Sequence, residues 1–533
     1  MDRYSFRLGA VLTIAAAIGP ARARAGDFNG DGFDDLAIGA PGETVSTASG
    51  AVFRAGAVNV IYGGSNGLNV NQVPDQTFTQ ESPGVPGAAE YDDQFGASVT
   101  SGDFDGDGYD DLAIGSPFED LTLDKIAYQD MGMVTIIFGT AQGLSATARA
   151  PQTHRSATRV AGICFGQVMA AGDFSRDGRD DLAVGVPRDS VNGFFAAGTV
   201  HVFYGTATGL NPTAQVLSQG RGIGEQPEKA DGFGASLATS DFNGDGAADL
   251  AIGVPSEGNT PGQFIQGRSF PGSLGYGIVH VTYGLPGIGL DGTASRIFAQ
   301  GENGLQGSQG GDDQFGFSLA AMPGGRSGLA IGCPRDNDSP QASGSVTVLP
   351  PITLSPAEST VISQNIVAGF AAPTPDDRFG AALVLGDFGR SFPNGGFDLA
   401  IGAPGARSGS TTGVRGGAVI VIYGTGTSRF NLTQPQLLAQ GFGGLGDVAE
   451  LEDGFGSVMI AGQYGKDLLQ DLVIAVPRED SGLVDTGLVH VLYGNVTQGL
   501  STAGSQLWTQ DSPGVDPEIA ETGDLFGAPV SGR

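Results

Sequence analysis

The chain is predicted to fold as an all-β protein, a seven-bladed β-propeller of four-stranded antiparallel blades. Three observations predict this class. Glycine accounts for 91 of the 533 residues, far above the usual ~7%. Short segments rich in Val, Ile and Phe alternate with turn residues and show no long helical period. The same short phrases also recur at intervals of roughly 65 to 80 residues, which is typical of repeat architectures.

Each repeat contains four phrases that predict four short strands. The first is acid-x-Phe-Gly, the second is Gly-x-Pro, the third is an alternating segment that ends in Tyr-Gly, and the fourth ends in Gln. The first phrase occupies residues 93–96, 231–234, 313–316, 377–380, 453–456 and 524–527, and residues 165–166 are a copy without the acid. Four antiparallel strands in each repeat are expected to form one propeller blade.

The two ends of the chain are expected to meet in one blade. The sequence after Ala25 starts beyond the position of a Phe-Gly strand, and the chain stops shortly after such a strand at Phe526. Residues 524–533 are therefore predicted to complete blade one, which brings the total to seven blades. A ring closed in this way leaves no open sheet edge. Residues 26–533 are expected to form this single propeller.

Residues 1–25 have the layout of a secretory signal peptide. Arg3 and Arg7 precede an apolar run, and small residues then predict cleavage after Ala25, with Ala21 or Ala23 as the alternatives. The run is too short to span a membrane, and no later stretch approaches the ~18 apolar residues that a spanning helix needs. The product is expected to be secreted, extracellular or periplasmic, without a membrane span.

The composition is strongly acidic, with a formal net charge of −31 from 57 acidic and 26 basic residues. Such a surface repels phosphate backbones, so nucleic acid is not an expected partner. Some of this acidity serves solubility, and some is expected to lie in cation sites.

The phrases together resemble a known family. The Phe-Gly phrase, the Asp-rich loop after it and the Gly-x-Pro phrase are similar to the FG-GAP repeats of the integrin α-subunit propeller, and the similarity covers nearly the whole mature chain. The resemblance implies seven blades with calcium in the loops between the first two strands of some of them. The leg domains, inserted domain and transmembrane helix of integrin α-subunits are absent here, as is the catalytic domain that accompanies such repeats in a glycosylphosphatidylinositol-cleaving phospholipase. A free-standing exported version, bacterial in style, is therefore expected.

Four loops, in blades one to four, carry oxygen-bearing side chains on alternate residues, and we number them after their blades. The expected ligands are Asp27, Asn29, Asp31, the carbonyl of Phe33 and Asp35 in loop one; Asp103, Asp105, Asp107, the carbonyl of Tyr109 and Asp111 in loop two; Asp173, Ser175, Asp177, the carbonyl of Arg179 and Asp181 in loop three; and Asp241, Asn243, Asp245, the carbonyl of Ala247 and Asp249 in loop four. Oxygen ligands without His or Cys favour Ca²⁺. About four calcium sites are therefore predicted.

An EF-hand is excluded because the twelfth position, where it needs a bidentate Glu, is Ile or Val within an apolar strand. Loop two, with four carboxylates, is expected to bind most tightly and loop three least. In the other blades, residues 322–326 hold no carboxylate, the segment after Asp387 is too long and glycine-rich, and Lys466 replaces a ligand. The alternative for all four loops is an Asx-rich turn that needs no metal.

Few residues suggest catalysis. His201, His280 and His490 occupy the same place in equivalent strands, which indicates a scaffold role. His154 stands in a polar stretch and is expected at the surface, and Cys164 and Cys333 are expected to stay unpaired. No hydrolase motif, phosphate loop or nucleotide fingerprint appears. Whether the protein is an enzyme is therefore left uncertain, with binding favoured.

The loops after the Gly-x-Pro phrase and those that join successive blades share the face opposite the calcium loops. In integrin α-subunits, by resemblance, this is the ligand side. Exposed aromatic residues with arginine are typical of recognition surfaces, and the candidates here are Phe264, Arg268, Phe270, Phe194, Phe195 and Tyr128. The alternative is that these aromatics only fill their own loops.

The expected function is a calcium-stabilised binding or adhesion module with a protein or glycan partner. An extracellular hydrolase or lyase with its site at the propeller axis, or a structural component of the cell envelope, is the alternative.

Overall fold

The computed structural model describes residues 26–531 except 71–72, 259–263, 266–267, 270–274, 322–327, 338–342, 352, 367–372, 391–396, 408–412, 426–429, 466, 468, 482, 514, 516–519 and 529. The predicted signal peptide at residues 1–25, the loop at 322–326, the segment 391–396, Lys466 and Phe270 lie outside the described residues.

The strands follow one another blade by blade along the chain. Blade one contains β1 (Leu36–Ala40), β2 (Val45–Thr47), β3 (Gly50–Val52), β4 (Ala57–Ile61) and β5 (Gln76–Phe78). Blade two contains β6 (Ser98–Gly102), β7 (Asp111–Ser116), β8 (Leu121–Leu123), β9 (Ile126–Tyr128), β10 (Met133–Ile137) and β11 (Gln152–His154). Blade three contains β12 (Val168–Gly172), β13 (Asp181–Val186), β14 (Thr199–Phe203), β15 (Gly205–Thr206), β16 (Gly209–Leu210), β17 (Gln215–Gln219) and β18 (Gly222–Ile223).

The second half of the chain repeats this order. Blade four contains β19 (Ser236–Ser240), β20 (Asp249–Val254), β21 (Phe264–Ile265), β22 (Arg268–Ser269), β23 (Ile278–Leu285) and β24 (Gly289–Phe298). Blade five contains β25 (Ser318–Ala321), β26 (Leu329–Cys333), β27 (Ser345–Leu349) and β28 (Thr360–Ser363), with 3-10 turns at Pro356–Glu358 and Gln364–Ile366. Blade six contains β29 (Ala382–Gly386), β30 (Asp398–Ala403), β31 (Ala418–Ile422) and β32 (Gln436–Leu438). Blade seven contains β33 (Val458–Gly462), β34 (Asp471–Val476), β35 (Leu488–Tyr493) and β36 (Ser501–Trp508), and β37 (Val530–Ser531) follows.

Seven antiparallel sheets confirm the predicted fold. Each has the order expected of a blade, for example β6-β7-β10-β11 in blade two and β33-β34-β35-β36 in blade seven. The Phe-Gly phrase precedes the first strand of each blade, the Gly-x-Pro phrase ends the second, and the Tyr-Gly phrase ends the third. In blade three the short β18 adds a parallel fifth strand.

The last described strand pairs with the first. β37 pairs antiparallel with β1, with Ala37 opposite Ser531 and Ile38 opposite Val530. Gly527 N–H donates to the carbonyl oxygen of Gly39 at 2.9 Å. Phe526 is fully buried in a cluster that also contains apolar side chains of blades one and seven. These contacts are consistent with the predicted closure of the ring.

Neighbouring blades meet through a contact between two glycines. A Cβ added to Gly185, in the Gly-x-Pro phrase of blade three, would lie 2.1 Å from the carbonyl oxygen of Gly234, in the Phe-Gly phrase of blade four. No side chain fits in that space, so Gly185 cannot be replaced here, and Gly234 has a positive φ of 87°, which favours glycine. The same approach occurs between Gly115 and Gly166, Gly253 and Gly316, Gly332 and Gly380, and Gly402 and Gly456. Blade seven carries Ala475 at this position.

The histidines behave as scaffold residues. His201, His280 and His490 are buried, and each ring contacts the edge or face of a Phe from a Phe-Gly phrase at 5.5 to 5.7 Å between centroids. The expectation that His154 is exposed is wrong: it is buried against Phe203, with ring centroids 4.7 Å apart. His154 ends β11 at the position that Phe, Leu, Ile or Trp fills in the other blades, and the polar sequence around it gives no sign of this. Cys164 and Cys333 are both buried and form no disulfide bond with each other, as expected.

Replacing His280 with Ile, the residue at the equivalent position of blade six, should change the pH dependence of stability. Burial lowers the pKa of His280 to about 4, below its usual value near 6.5. The unfolded chain therefore binds more protons between these two values, and stability is lost as the pH falls through this window. Since Ile cannot titrate, the free energy of unfolding of H280I relative to the wild type should rise by about 2 kcal/mol between pH 7.5 and pH 5.

The measurement is urea unfolding at both pH values. Thr347→Ile is the matched control, because Thr347 is the equivalent buried residue of blade five and does not titrate. Its stability difference from the wild type should stay constant with pH. A constant difference for H280I as well would show that His280 does not contribute to the acid sensitivity.

Candidate metal centres and the opposite loop face

Loop two shows how the sequence forms a cation-sized turn. It joins β6 to β7, and Gly106 and Gly108 adopt positive φ angles of 75° and 95°, which let the backbone curl. Asp103 accepts hydrogen bonds from the backbone N–H groups of Gly106 at 2.7 Å, Asp107 at 3.1 Å and Gly108 at 3.0 Å. The first carboxylate is thus fixed at the centre of the turn by the backbone that follows it.

The other three loops repeat this arrangement. The first-position carboxylates accept from the fifth and sixth N–H groups at 2.9 to 3.0 Å, and the fifth-position carboxylates accept from the seventh N–H groups at 2.9 to 3.0 Å. The residues concerned are Asp27 and Asp31 in loop one, Asp173 and Asp177 in loop three, and Asp241 and Asp245 in loop four. These are Asx-type turns, so the hydrogen bonds explain the shape of the loops and do not decide whether a metal is present.

The donor set fits a hard cation best in loop two. One carboxylate oxygen from each of Asp103, Asp105 and Asp111 lies within 4.8 Å of the others. Calcium–oxygen distances of about 2.3 to 2.6 Å allow ligand oxygens to be up to about 5 Å apart, so these three can share one ion. The third position of the other loops is a neutral amide or hydroxyl, at Asn29, Ser175 and Asn243.

The ninth-position aspartate also has a structural role. Asp111 accepts from the N–H groups of Phe104 at 3.1 Å and Gly139 at 3.0 Å, which ties the loop to the third strand. Asp35, Asp181 and Asp249 make the same pair of contacts, and so do Asp398 and Asp471 in blades six and seven. This aspartate therefore does not distinguish a metal-binding loop from one that has lost its other ligands.

Burial disfavours the charged form of the ninth-position carboxylates and so raises their pKa values. Desolvation raises the pKa of Asp181 and of Asp249 to about 8, and nearby carboxylates add to the effect. The pKa values of Asp35 and Asp111 are raised well above their usual range for the same reasons. A divalent cation between the carboxylates would oppose both effects, because it neutralises the repulsion and is coordinated by the carboxylate oxygens in place of water.

The sequence analysis missed two kinds of residue around the loops. Arg149 forms an ion pair with Asp105 and lies over the ring of Phe138, with 3.5 Å between the guanidinium carbon and the ring centroid. Arg149 lies between β10 and β11, 44 residues after Asp105, so no local spacing rule indicates the contact. The eighth-position aspartates Asp110 and Asp180 accept from the N–H groups of Asp27 and Asp103 in the preceding loop, each at 3.1 Å. In the sequence, the repeated Asp-Asp pair at positions eight and nine is the feature that could have indicated these contacts between neighbouring loops.

The candidate ligand residues on the opposite face differ in exposure. Phe194 and Phe195 are exposed, the latter by 65%. Tyr128, in β9, is partly buried and packs against the core shared by blades two and three. Phe264 and Arg268 lie on the paired strands β21 and β22, where the structure describes the backbone alone.

Exposed apolar side chains are concentrated on that face. Among the described residues, twelve of the fifteen exposed large apolar side chains lie on loops after the Gly-x-Pro phrase or between successive blades. They are Phe53, Tyr91, Ile126, Val160, Phe194, Phe195, Val414, Phe442, Val448, Leu451, Leu483 and Val484. We call these loops the apolar face. Of the other three, Ile288 and Val496 lie in turns on the calcium-loop side and Leu507 lies on an outer strand.

Comparison with known proteins identifies the repeats. The FG-GAP repeat family matches residues 20–53, 95–137, 165–203 and 233–270, so the chain carries FG-GAP repeats. Phosphatidylinositol-glycan-specific phospholipase D of Rattus norvegicus is 40% identical over 122 residues, 22% of this chain and 13% of that protein. Integrin alpha-V of Gallus gallus is 32% identical over 231 residues, 43% of this chain and 19% of that protein. The chain thus matches less than a fifth of the length of either relative.

Among solved structures, the leech intramolecular trans-sialidase aligns over 94% of this chain and 90% of its own, with 8% identity and a TM-score of 0.36. A likeness of that size carries no argument about function. In the part of the chain that the structure describes, no helix is long and apolar enough to cross a membrane.

Proposed function

We propose that this FG-GAP propeller is a calcium-stabilised binding module that holds a protein partner on its apolar face. The observation that carries the proposal is the asymmetry of the two faces, since twelve of fifteen exposed large apolar side chains among the described residues lie on one of them. Exposed apolar groups in contiguous loops are typical of interaction sites, and loops on a rigid scaffold commonly carry function. The resemblance to integrin α-subunits, in which this is the ligand side, supports the same choice.

Loops one to four are proposed to hold one Ca²⁺ each, with the side chains and carbonyls given above as ligands. These loops lie on the other face, so calcium shapes the scaffold and does not touch the partner. Export fits this role because extracellular modules bind calcium at about 10⁻⁴ to 10⁻³ M. Accordingly, we propose that residues 1–25 are removed as a signal peptide and that residues 26–533, closed by 524–533, form the exported propeller.

A protein partner is favoured over a glycan by the kinds of side chain on the apolar face. Seven of the twelve are aliphatic, among them Val448, Leu451 and Leu483, which suit the apolar centre of a protein interface. The adjacent exposed rings of Phe194 and Phe195 are the observation that keeps a glycan as the second candidate, because sugars stack on aromatic faces. The net charge of −31 makes a nucleic acid a poor partner for either surface.

The test compares two double variants of the purified protein immobilised in calcium. F53S/F195S removes two aromatic side chains from the apolar face, and I288S/V496S removes two exposed apolar side chains from the calcium-loop side. Retention of partners from a cell-surface extract should fall at least tenfold for the first variant and stay unchanged for the second. Equal retention by both variants would contradict the proposal, and glycosidase treatment of the extract separates a glycan from a protein partner.

A further inference from the structure

A second group of carboxylates lies between blades three and four, away from the four loops. Gln219 ends β17, Asp231 precedes β19, and Glu257 follows β20. All three side chains are buried, with exposures of 1%, 0% and 5%, and Glu228 closes the group from the surface. Three different segments thus bring oxygen-bearing side chains into one blade interface on the side of the apolar face.

The geometry of this group matches an ion. One carboxylate oxygen from each of Glu228, Asp231 and Glu257 lies within 4.8 Å of the others. The amide nitrogen of Gln219 donates to Oε2 of Glu257 at 2.7 Å, which places the amide oxygen beside the same group. Among the described residues, Gln219 Oε1 and Asp231 Oδ1 are buried and have no hydrogen-bond partner. No described Lys or Arg forms an ion pair with these carboxylates.

The interface between blades six and seven repeats the group. Carboxylate oxygens of Glu450, Asp453 and Glu479 again lie within 4.8 Å of one another, and the amide nitrogen of Gln440 donates to Glu479. Gln440 Oε1 and Glu450 Oε2 are buried without a hydrogen-bond partner among the described residues. Two independent interfaces therefore show the same three carboxylates and the same amide, and in each of them the amide oxygen and one carboxylate oxygen lack a hydrogen-bond partner among the described residues.

We propose that each of these two interface groups binds one hard divalent cation, in addition to the ions of loops one to four. Three carboxylates and one amide oxygen form an all-oxygen donor set, and their spacing fits calcium–oxygen distances of about 2.3 to 2.6 Å. Burying several carboxylates without a counter-charge is costly. A proton shared between two oxygens satisfies at most those two, whereas a cation engages the carboxylates and the free amide oxygen together.

Other interfaces of the same chain act as internal comparisons. Between blades two and three the corresponding residues are Ser156, Ile163 and Asp189, so a single carboxylate remains and no ion is expected. The same residue types as in the two proposed groups stand between blades one and two and between blades seven and one. Among the described residues, however, their carboxylates do not all come within 4.8 Å of one another.

The experiment counts bound calcium by equilibrium dialysis and elemental analysis of the full chain. E257Q and E479Q should each lower the number of bound ions by one, and the double variant by two. Asp189→Asn, at the equivalent position in the interface between blades two and three, should leave the count unchanged. Far-ultraviolet circular dichroism checks that each variant is folded.

A second variant separates this proposal from the loop sites. D31N/D107N/D177N/D245N removes the fifth-position carboxylate from all four loops and should retain the two interface ions. Loss of both of these ions on adding E257Q/E479Q supports the proposal, even if the loops bind no calcium in the wild type. A loop variant that binds no ion, or a double interface variant that binds as many ions as the wild type, would overturn it and leave a shared proton as the only occupant.

Discussion

Replacing Phe526 with alanine is expected to lower the free energy of unfolding by about 3 to 5 kcal/mol, the usual cost of removing a large buried aromatic side chain. Phe526 is fully buried although it lies seven residues from the last residue of the sequence. It packs in a cluster with Leu36 and Ile38 of blade one and Val489 of blade seven. The variant thus removes the apolar contact that fastens the last strand to the first blade. Urea unfolding measures the effect.

Phe455→Ala is the matched control for that variant. Phe455 is the equivalent residue of blade seven, is fully buried, and lies in an internal segment and not near an end of the sequence. The two variants should cost similar amounts if the terminal segment is as firmly built into the ring as an internal one. A near-zero effect of F526A beside a large effect of F455A would show that the ring is not closed by this segment.

Chelation of calcium is expected to lower the melting temperature by several degrees. In about 10 mM calcium, a site with a dissociation constant of about 10⁻³ to 10⁻⁴ M contributes about 1.4 to 2.7 kcal/mol, because only the folded chain presents the complete ligand set. Four loops would together contribute several kcal/mol. Removing the ion also leaves crowded carboxylates such as Asp103, Asp107 and Asp111 to repel one another. Calorimetry with and without excess chelator measures the shift.

Readdition of calcium is the control for this experiment, since it should restore the original melt. The loop variant D107N/D245N should show a smaller drop on chelation than the wild type, because Asp107 and Asp245 belong to two of the four ligand sets. An identical melting temperature in excess chelator would mean that the loops are Asx turns that are stable without a metal. It would contradict the part of the proposed function that involves calcium.

The fold could be predicted from the sequence because every level of it repeats. Phe-Gly and Gly-x-Pro phrases recur in a fixed order, and the close contact between Gly185 and Gly234 explains why glycine is kept at these positions in five of the interfaces. The burial of His154 cannot be predicted from the sequence, because a single polar side chain in a polar segment gives no periodic signal. In the structure His154 ends β11, and an apolar residue fills the same position in the other fourth strands.

The sites could be predicted only where one segment supplies all their residues. Loop two contains its whole donor set within nine residues, so alternation alone located it. Arg149 reaches Asp105 across 44 residues, and Gln219 reaches Glu257 across 38, so neither contact follows from local spacing. One repeated sequence feature could have indicated the interface groups. It is the Glu that stands three residues before the acid of the Phe-Gly phrase, as in Glu228 and Glu450.

The same glycine contact occurs at five successive interfaces, so it does not determine which blade packs against which. Judged by the glycine contact alone, a Gly-x-Pro edge would accept any Phe-Gly edge, so chain connectivity and the other interface side chains decide the order. The closing interface differs, since Ala475 stands where the others have glycine and faces Gly527. Refolding at high concentration should therefore produce domain-swapped oligomers, in which the terminal strand of one molecule completes the first blade of another.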